Sequence, residues 1–400
     1  MKYDIVIIGG GPAGLSFARS LGDSRFNVLV VERSPLEQLQ SPQIDGRDIA
    51  LTHLSKKILT EMGVLSRIPA DEISPIKQAK VINGNSSYCL EIDSKKTDAD
   101  ALGYLVPNYL IRKALYEAVE PLNNVKILTE TTVRDVAIDQ QQATVSLSSG
   151  EQVTATLVVA ADSRFSESRR KMGISASMQD FGRVAIVSRM SHEKPHQQIA
   201  YECFHYGRTL AVLPLSGNLS SIVVTVSADV AQQIQGESDE AFAAEVQRRF
   251  KNRLGKMQLV GKRHAYPLVA VHANKFVKPR YALLGDASVG MHPVTAHGFN
   301  LGLRGQDTLY REIMAAHLQG DDIGSLSVLE KYQSKHQRVT WPLYTGTNEI
   351  VGLYTNDSVP AKVLRGLVLR LSNNFPPVKQ MITRKLTELG GHEEAGLPFL

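Results

Sequence analysis

The sequence predicts an α/β protein: a Rossmann-like, doubly wound sheet with an inserted β-rich domain and a helical C-terminus. Three observations lead there. Residues 3–8 form a near-continuous apolar run ending in glycines, the pattern of a buried parallel strand. A helical segment at 12–21 and a second apolar strand at 27–31 complete a βαβ opening. Residues 183–226 alternate and turn like an antiparallel meander.

The remaining elements follow in order. Residues 50–65 are expected to be helical, with Leu51, Leu54, Ile58, Leu59 and Met62 at helical spacing. The polar stretch 83–100 reads as loops or hairpin turns of the β-rich part. A helix at 107–119 precedes short strands at 125–128, 133–138 and 143–147, and then a buried strand at 156–161. Strands at 184–189, 200–204, 209–213 and 221–226 make up the meander. A helix at 238–253 and a buried strand at 281–284 follow, and the chain after 298 is helical, with breaks at 320–324, 356–360 and 373–377. The expected domains are 1–75, 101–180 and 265–330 for the discontinuous cofactor domain, 76–100 and 181–264 for the β-rich substrate domain, and 331–400 for the helical end.

Composition narrows the function classes. With 400 residues, 43% hydrophobic and 21% charged, the chain is an ordinary globular protein with more than one core. No apolar run approaches the roughly 18 residues that a membrane span needs, and Lys2 leads straight into a core strand, unlike a signal peptide. Cys89 and Cys203 form no spaced motif, which fits thiols in the cytoplasm. The net charge of +5 has no nucleic-acid motif behind it, so an anionic cofactor or an anionic membrane surface suits it better. The 11 histidines show no metal-ligand spacing, and no metal is expected.

The run Gly9-Gly10-Gly11-Pro12-Ala13-Gly14 fits a dinucleotide-binding turn between a strand and a helix, and Glu32 ends the second strand 18 residues after Gly14. Gly9 permits the tight turn, Gly11 lets the backbone approach a pyrophosphate, and Gly14 lets helix and strand pack closely. The helix N-terminus then faces phosphate charge. Glu32 would accept hydrogen bonds from ribose hydroxyls, with Arg33 beside it. This turn alone does not separate NAD from FAD.

Further segments carry a resemblance. Ala161-Asp162-Ser163 with Arg169-Arg170, Gly285-Asp286-Ala287 with Met291-His292-Pro293, and the stretches 105–115, 207–215 and 264–268 resemble the ubiquinone-biosynthesis hydroxylases, FAD-dependent aromatic hydroxylases acting on polyprenylated phenols. The likeness runs over about residues 1–385. It implies a glutathione-reductase-type FAD domain as in para-hydroxybenzoate hydroxylase, and it places residues around the cofactor. Asp162, Gly285 and Asp286 belong to the FAD fingerprints, with Asp286 on the ribityl chain. Arg47 and Arg112 would meet the pyrophosphate or flavin, and Val133 the adenine through its backbone. Pro293, Gly298, Phe299 and Asn300 would lie beside the flavin ring, where helix-end N–H groups stabilise the anionic reduced flavin. Tyr266 and Pro214 would line the substrate region. The chain departs from the pattern in Asp-Ser for Asp-Gly at 162–163, in Val289 where a histidine is common, and in Thr295-Ala296-His297-Gly298 for Ala-Gly-Gln-Gly.

The expected chemistry is a monooxygenase cycle. NADH or NADPH reduces FAD, O₂ adds at flavin C4a, and the hydroperoxide delivers oxygen to an electron-rich ring. His297 is the candidate to move a proton beside the flavin. Between 360 and 389, Lys362, Arg365, Arg370, Lys379, Arg384 and Lys385 face one acid, Glu388. The apolar faces between them suit either a peripheral contact with the inner face of the cell membrane or the protein's own core. A complex with other quinone-biosynthesis enzymes is a further expected partner. Two alternatives stay open: the same hydroxylation of a soluble aromatic substrate, and a non-catalytic flavoprotein that scaffolds a biosynthetic complex.

Overall fold

The structure, a computed structural model, describes residues 1–84, 89–205, 207–291, 297–355 and 387–388. Strand Lys2–Ile8 sits at the centre of the first sheet. It is parallel to Gln152–Ala160 on one side and to Val28–Val31 on the other, and Ile5, Val6 and Ile7 are wholly buried. Tyr281–Leu283 and Val125–Leu128 extend the parallel order outward. Helices Pro12–Ser20 and Asn108–Val119 contribute Leu15, Phe17, Ile111 and Leu115 to the same core, as do Leu301 and Leu309 of helix His297–Gln319.

A second sheet of eight strands carries the β-rich layer, and it includes Gln78–Asn83, to which no element was assigned, and Cys89–Asp93, within the 83–100 stretch expected as loops or hairpin turns. Polar composition hid this hairpin because its apolar positions alternate only briefly: Ile82, Leu90 and Ile92 are buried and their neighbours are half-covered. Pairing settles it, since Gln78–Asn83 runs parallel to Ile199–His205. One face of this sheet buries Ile186, Met190, Ile222 and Val224 beneath two helices, Ala228–Gly236 and Asp239–Arg249. The first of these was not expected, and the second stops four residues short of the 238–253 segment because Lys251 and Asn252 turn into the left-handed region (φ +58° and +52°).

The helix expected over 50–65 is a strand followed by a shorter helix. Asp48–Leu51 pairs with Gly103–Pro107, and Thr52 then caps helix His53–Glu61 by accepting the Ser55 N–H. Long-range pairing overrides the helical spacing at Ala50 and Leu51. The expected domain boundaries at 180/181 and 264/265 fall inside two strands of 17 residues each, Ala176–His192 and Met257–Ala273, which pair along their length. Helix Leu326–Thr355 begins after the expected break at 320–324. The basic segment 360–389, and the breaks at 356–360 and 373–377, lie outside the described residues except for Thr387 and Glu388.

Candidate active site

Three parallel strands end at one edge of the first sheet, and their C-terminal turns meet there. Gly9 has φ +107°, and a Cβ on it would lie 2.6 Å from the Ala161 carbonyl oxygen, at the end of the neighbouring strand. A Cβ on Gly14 would collide with the Gly9 carbonyl. Gly285 has φ +58°, and a Cβ there would come within 2.6 Å of the Ala13 Cβ. The two glycine motifs, 276 residues apart in sequence, are thus packed against each other.

Gly11 is different. A Cβ on it would meet nothing within 4 Å, and it is the N-cap of helix Pro12–Ser20 with no side-chain cap and no acid in the first turn. An uncapped helix N-terminus opening onto free space is the cradle an anionic pyrophosphate requires. Glu32 orders the turn, accepting the Gly10 N–H at 2.6 Å and the Ser34 N–H at 2.8 Å, and Arg33 beside it is exposed. Val133 opens strand Val133–Ile138 and is half-buried.

At the second motif, Arg164 donates to Asp286 at 3.0 Å and to the Val269 carbonyl at 3.0 Å, which fixes Asp286 while leaving it part-exposed. Asp162 is spent locally: its carboxylate accepts from the Ser166 hydroxyl (2.5 Å) and from both the N–H and the hydroxyl of Ser168 (3.2 and 2.9 Å). Its place in this cluster is to hold the turn into helix Glu167–Lys171. Ser163 carries φ +84°, a left-handed backbone that glycine adopts freely. Ser163→Gly is therefore expected to stabilise the protein by about 0.5–1 kcal/mol, read as a higher urea midpoint. A lower midpoint would mean that the serine hydroxyl itself holds the turn.

The loop before strand Asp48–Leu51 spans the gap to the second sheet. A Cβ on Gly46 would lie 2.7 Å from the His264 ring, so the loop rests on strand Met257–Ala273. Arg47 donates to Asp45 at 2.6 Å and stacks on Tyr266 at 5.2 Å, while the Tyr266 hydroxyl donates to the Asp45 carbonyl at 2.7 Å. Burial alone would raise Asp45, but the Arg47 guanidinium and the hydrogen bond from Asn108 outweigh it and hold the carboxyl below its usual range. Arg112, half-buried, forms no ion pair or hydrogen bond with the described residues. Tyr266 and Pro214 both belong to the second sheet; Tyr266 faces this loop and Pro214 is buried at the end of Arg208–Pro214.

Helix His297–Gln319 closes the site from the third side. Asn300 accepts from the Thr52 N–H at 3.1 Å and donates to the Ala50 carbonyl at 2.8 Å, so its amide ties the helix to strand Asp48–Leu51. Gly298 leaves open space where a Cβ would stand, Phe299 is half-buried against the core, and His297 is only 5% exposed. Pro293 and His292 lie outside the described residues. Glu388 reaches back here, accepting from the Thr52 hydroxyl at 2.7 Å and pairing with buried Arg304 at 3.0 Å.

Sequence reasoning missed the buried pair Asp48–Arg189, with N···O 2.5 Å. The Asp48 side chain is wholly inaccessible, and burial outweighs Arg189 to keep its carboxyl above the usual range. The one available signal was a charge at 189 within an otherwise apolar strand.

The glycine turn, the second glycine-aspartate turn and an overlying, mostly antiparallel sheet define an FAD-binding flavoprotein. The chain belongs to the FAD binding domain family, whose pattern matches residues 2–347. It is 51% identical to ubiquinone hydroxylase UbiM of Neisseria meningitidis over 97% of this chain and 85% of that protein. It is 32% identical to ubiquinone hydroxylase UbiL of Rhodospirillum rubrum over 95% of this chain and 88% of that one. Among solved structures, p-nitrophenol 4-monooxygenase PnpA from Pseudomonas putida has the same fold, with a TM-score of 0.78 at 19% identity, covering 96% of this chain and 98% of that one.

Proposed function

We propose that the chain is an FAD-dependent monooxygenase that hydroxylates the aromatic ring of a polyprenylated phenol or quinol in ubiquinone biosynthesis. The observation that carries this reading is the meeting of the two FAD turns beneath the sheet face that bears Tyr266, in a chain so close to two ubiquinone hydroxylases. FAD, reduced by NADH or NADPH, supplies activation of O₂ when bound.

The protein's own residues hold and shield the reactants. Gly11 and the first turn of helix Pro12–Ser20 would receive the pyrophosphate, Glu32 the ribose, and Asp286 the ribityl chain. Arg47 and Arg112 stand at the loop between the layers, near Tyr266. Arg47 and Arg189 are already paired with Asp45 and Asp48, which leaves Arg112 to meet the anionic cofactor.

No helix among the described residues is long and apolar enough to cross a membrane. A polyprenyl substrate dissolves in lipid, so we read the basic segment 360–389 as a peripheral contact with the inner face of the cell membrane, and the cytoplasm as the protein's compartment. Association with other enzymes of the pathway belongs to the same reading. The test is lipid extraction and mass spectrometry of a strain that lacks the gene, grown aerobically. A prenylated phenol short of one or more ring oxygens is expected, and its structure would identify the position attacked. An unchanged quinone profile, with no redundant hydroxylase present, would overturn the reading.

A further inference from the structure

We propose that Glu202 is the catalytic base of the ring hydroxylation, its carboxylate receiving the phenolic proton of the substrate. This rests on the hydroxylase reading above and adds the residue that activates the ring.

The argument begins with alternation along strand Ile199–His205. Tyr201 and Cys203 point into the core beneath the two helices, with Tyr201 edge-on to Phe250 at 5.0 Å. Ala200, Glu202 and Phe204 therefore share the opposite face. Ala200 packs there beside Leu105 of the small sheet, on the side of the FAD layer. Across the strands Glu202 stands level with Ala211, Ala211 with Val223, Val223 with Val187, and Val187 with His264, the ring under Gly46. Glu202 thus belongs to the sheet face that the Arg47 loop covers. From Glu202 to Val187 is three strand spacings, about 14 Å, with only Ala211 and Val223 as the floor. That span is comparable to the length of one substituted aromatic ring.

Two features of this wall ask for a donor. Glu202 forms no ion pair or hydrogen bond with the described residues, although it is only half-buried and crowded by apolar neighbours. Asn83, level with Phe204 on the adjacent strand, has a buried Oδ1 that no described donor reaches. Two acceptors without donors on an apolar wall suit a ligand that brings hydroxyl groups. Burial pushes the Glu202 carboxyl up to about 7. Its titratable neighbour is Cys203, whose thiol burial pushes up to about 12 and so keeps neutral. Near neutrality the carboxylate is both present and far more basic than an exposed glutamate, which suits a general base. His297, nearly sealed at the head of its helix, has no comparable access.

The protons and electrons balance without a further reagent. The phenol O–H bond breaks, its proton goes to a Glu202 carboxylate oxygen, and its electron pair moves into the ring. The enriched ring carbon forms the new C–O bond with one atom of O₂ as the O–O bond breaks, and the other atom leaves as water with the two electrons that NADH or NADPH supplies. Loss of that carbon's hydrogen as a proton restores aromaticity, and the Glu202 proton returns to the ring oxygen or to water.

The test uses holoenzyme, with Glu202→Gln and Glu202→Asp, in two arms. For 2-hexylphenol turnover, wild-type kcat/KM should rise through about pH 7, because the ionised carboxylate is the active form. Glu202→Gln should lower kcat about 10²–10⁴-fold and erase that rise, with Glu202→Asp in between and FAD content unchanged. In the binding arm, 2-hexylphenol should bind wild type more tightly as pH rises through 7, whereas 2-hexylanisole, lacking the O–H, should show no such dependence. Glu202→Gln should abolish the difference. The binding arm on wild type needs no variant to fold. A wild-type pH profile in Glu202→Gln, or equal pH dependence for phenol and anisole, overturns the proposal. Absence of ¹⁸O incorporation from ¹⁸O₂ by the wild type sinks the hydroxylase reading instead, whatever Glu202 does in the binding arm.

Discussion

Gly11→Val is expected to cost the apoprotein no more than about 1 kcal/mol, the loss of a glycine N-cap, and to weaken FAD binding at least about 100-fold, the loss of a pyrophosphate cradle. The contrast with its neighbours makes the expectation specific. Gly9 and Gly14 are required by the protein itself, since side chains there run into the Ala161 and Gly9 carbonyls. Gly11 meets no protein atom, and its φ of −75° suits any residue. Its bareness serves only what binds in front of the helix. Flavin-fluorescence titration together with urea unfolding of apoprotein separates the two effects. A variant that binds FAD normally would remove the helix N-terminus from the phosphate site, and one that unfolds would show that Gly11 serves the fold instead.

The second large effect is at the buried pair Asp48–Arg189. Arg189→Met should destabilise the protein by about 3–5 kcal/mol, because it leaves the Asp48 carboxylate sealed and uncompensated. The pH dependence follows from the sign of the shift. Asp48 already has a folded pKa above its unfolded value, and without Arg189 it rises further. The penalty is therefore full at high pH and shrinks as acid neutralises the carboxyl. Urea midpoints at pH 5 and 7.5 read this directly. Asp48→Leu combined with Arg189→Met should recover most of the loss. A single variant as stable as wild type at pH 7.5 would mean that water reaches Asp48.

What the sequence disclosed and what it withheld divide by range of interaction. The glycine turn and Gly285-Asp286 were legible because tight turns and close packing demand glycine at fixed offsets, and the strand at 133–138 was found to the residue. The helix expected at 50–65 failed where Asp48–Leu51 found a partner over fifty residues away. Glu202 and Asp48 were invisible for a related reason. An acid in a half-polar strand reads as surface, and only the register of five strands puts Glu202 on an enclosed wall. The serine at 163 was legible as a departure, and the structure accepts it by bending into a glycine conformation. Asp162, Asn300 and Arg47, expected around the cofactor, hydrogen-bond to protein groups, supporting tasks that motif reading did not foresee.

The paired strands Ala176–His192 and Met257–Ala273 belong to both layers at once. At one end Ala176 and Ala273 join the flavin-side core; at the other His192 and Met257 reach the core under the two helices. Such a ribbon leaves no thin neck about which one layer could swing. A substrate is therefore admitted by loops giving way at the rim, and a packing defect beneath the helices transmits along the ribbon to the glycine turns. The two halves share one mechanical fate.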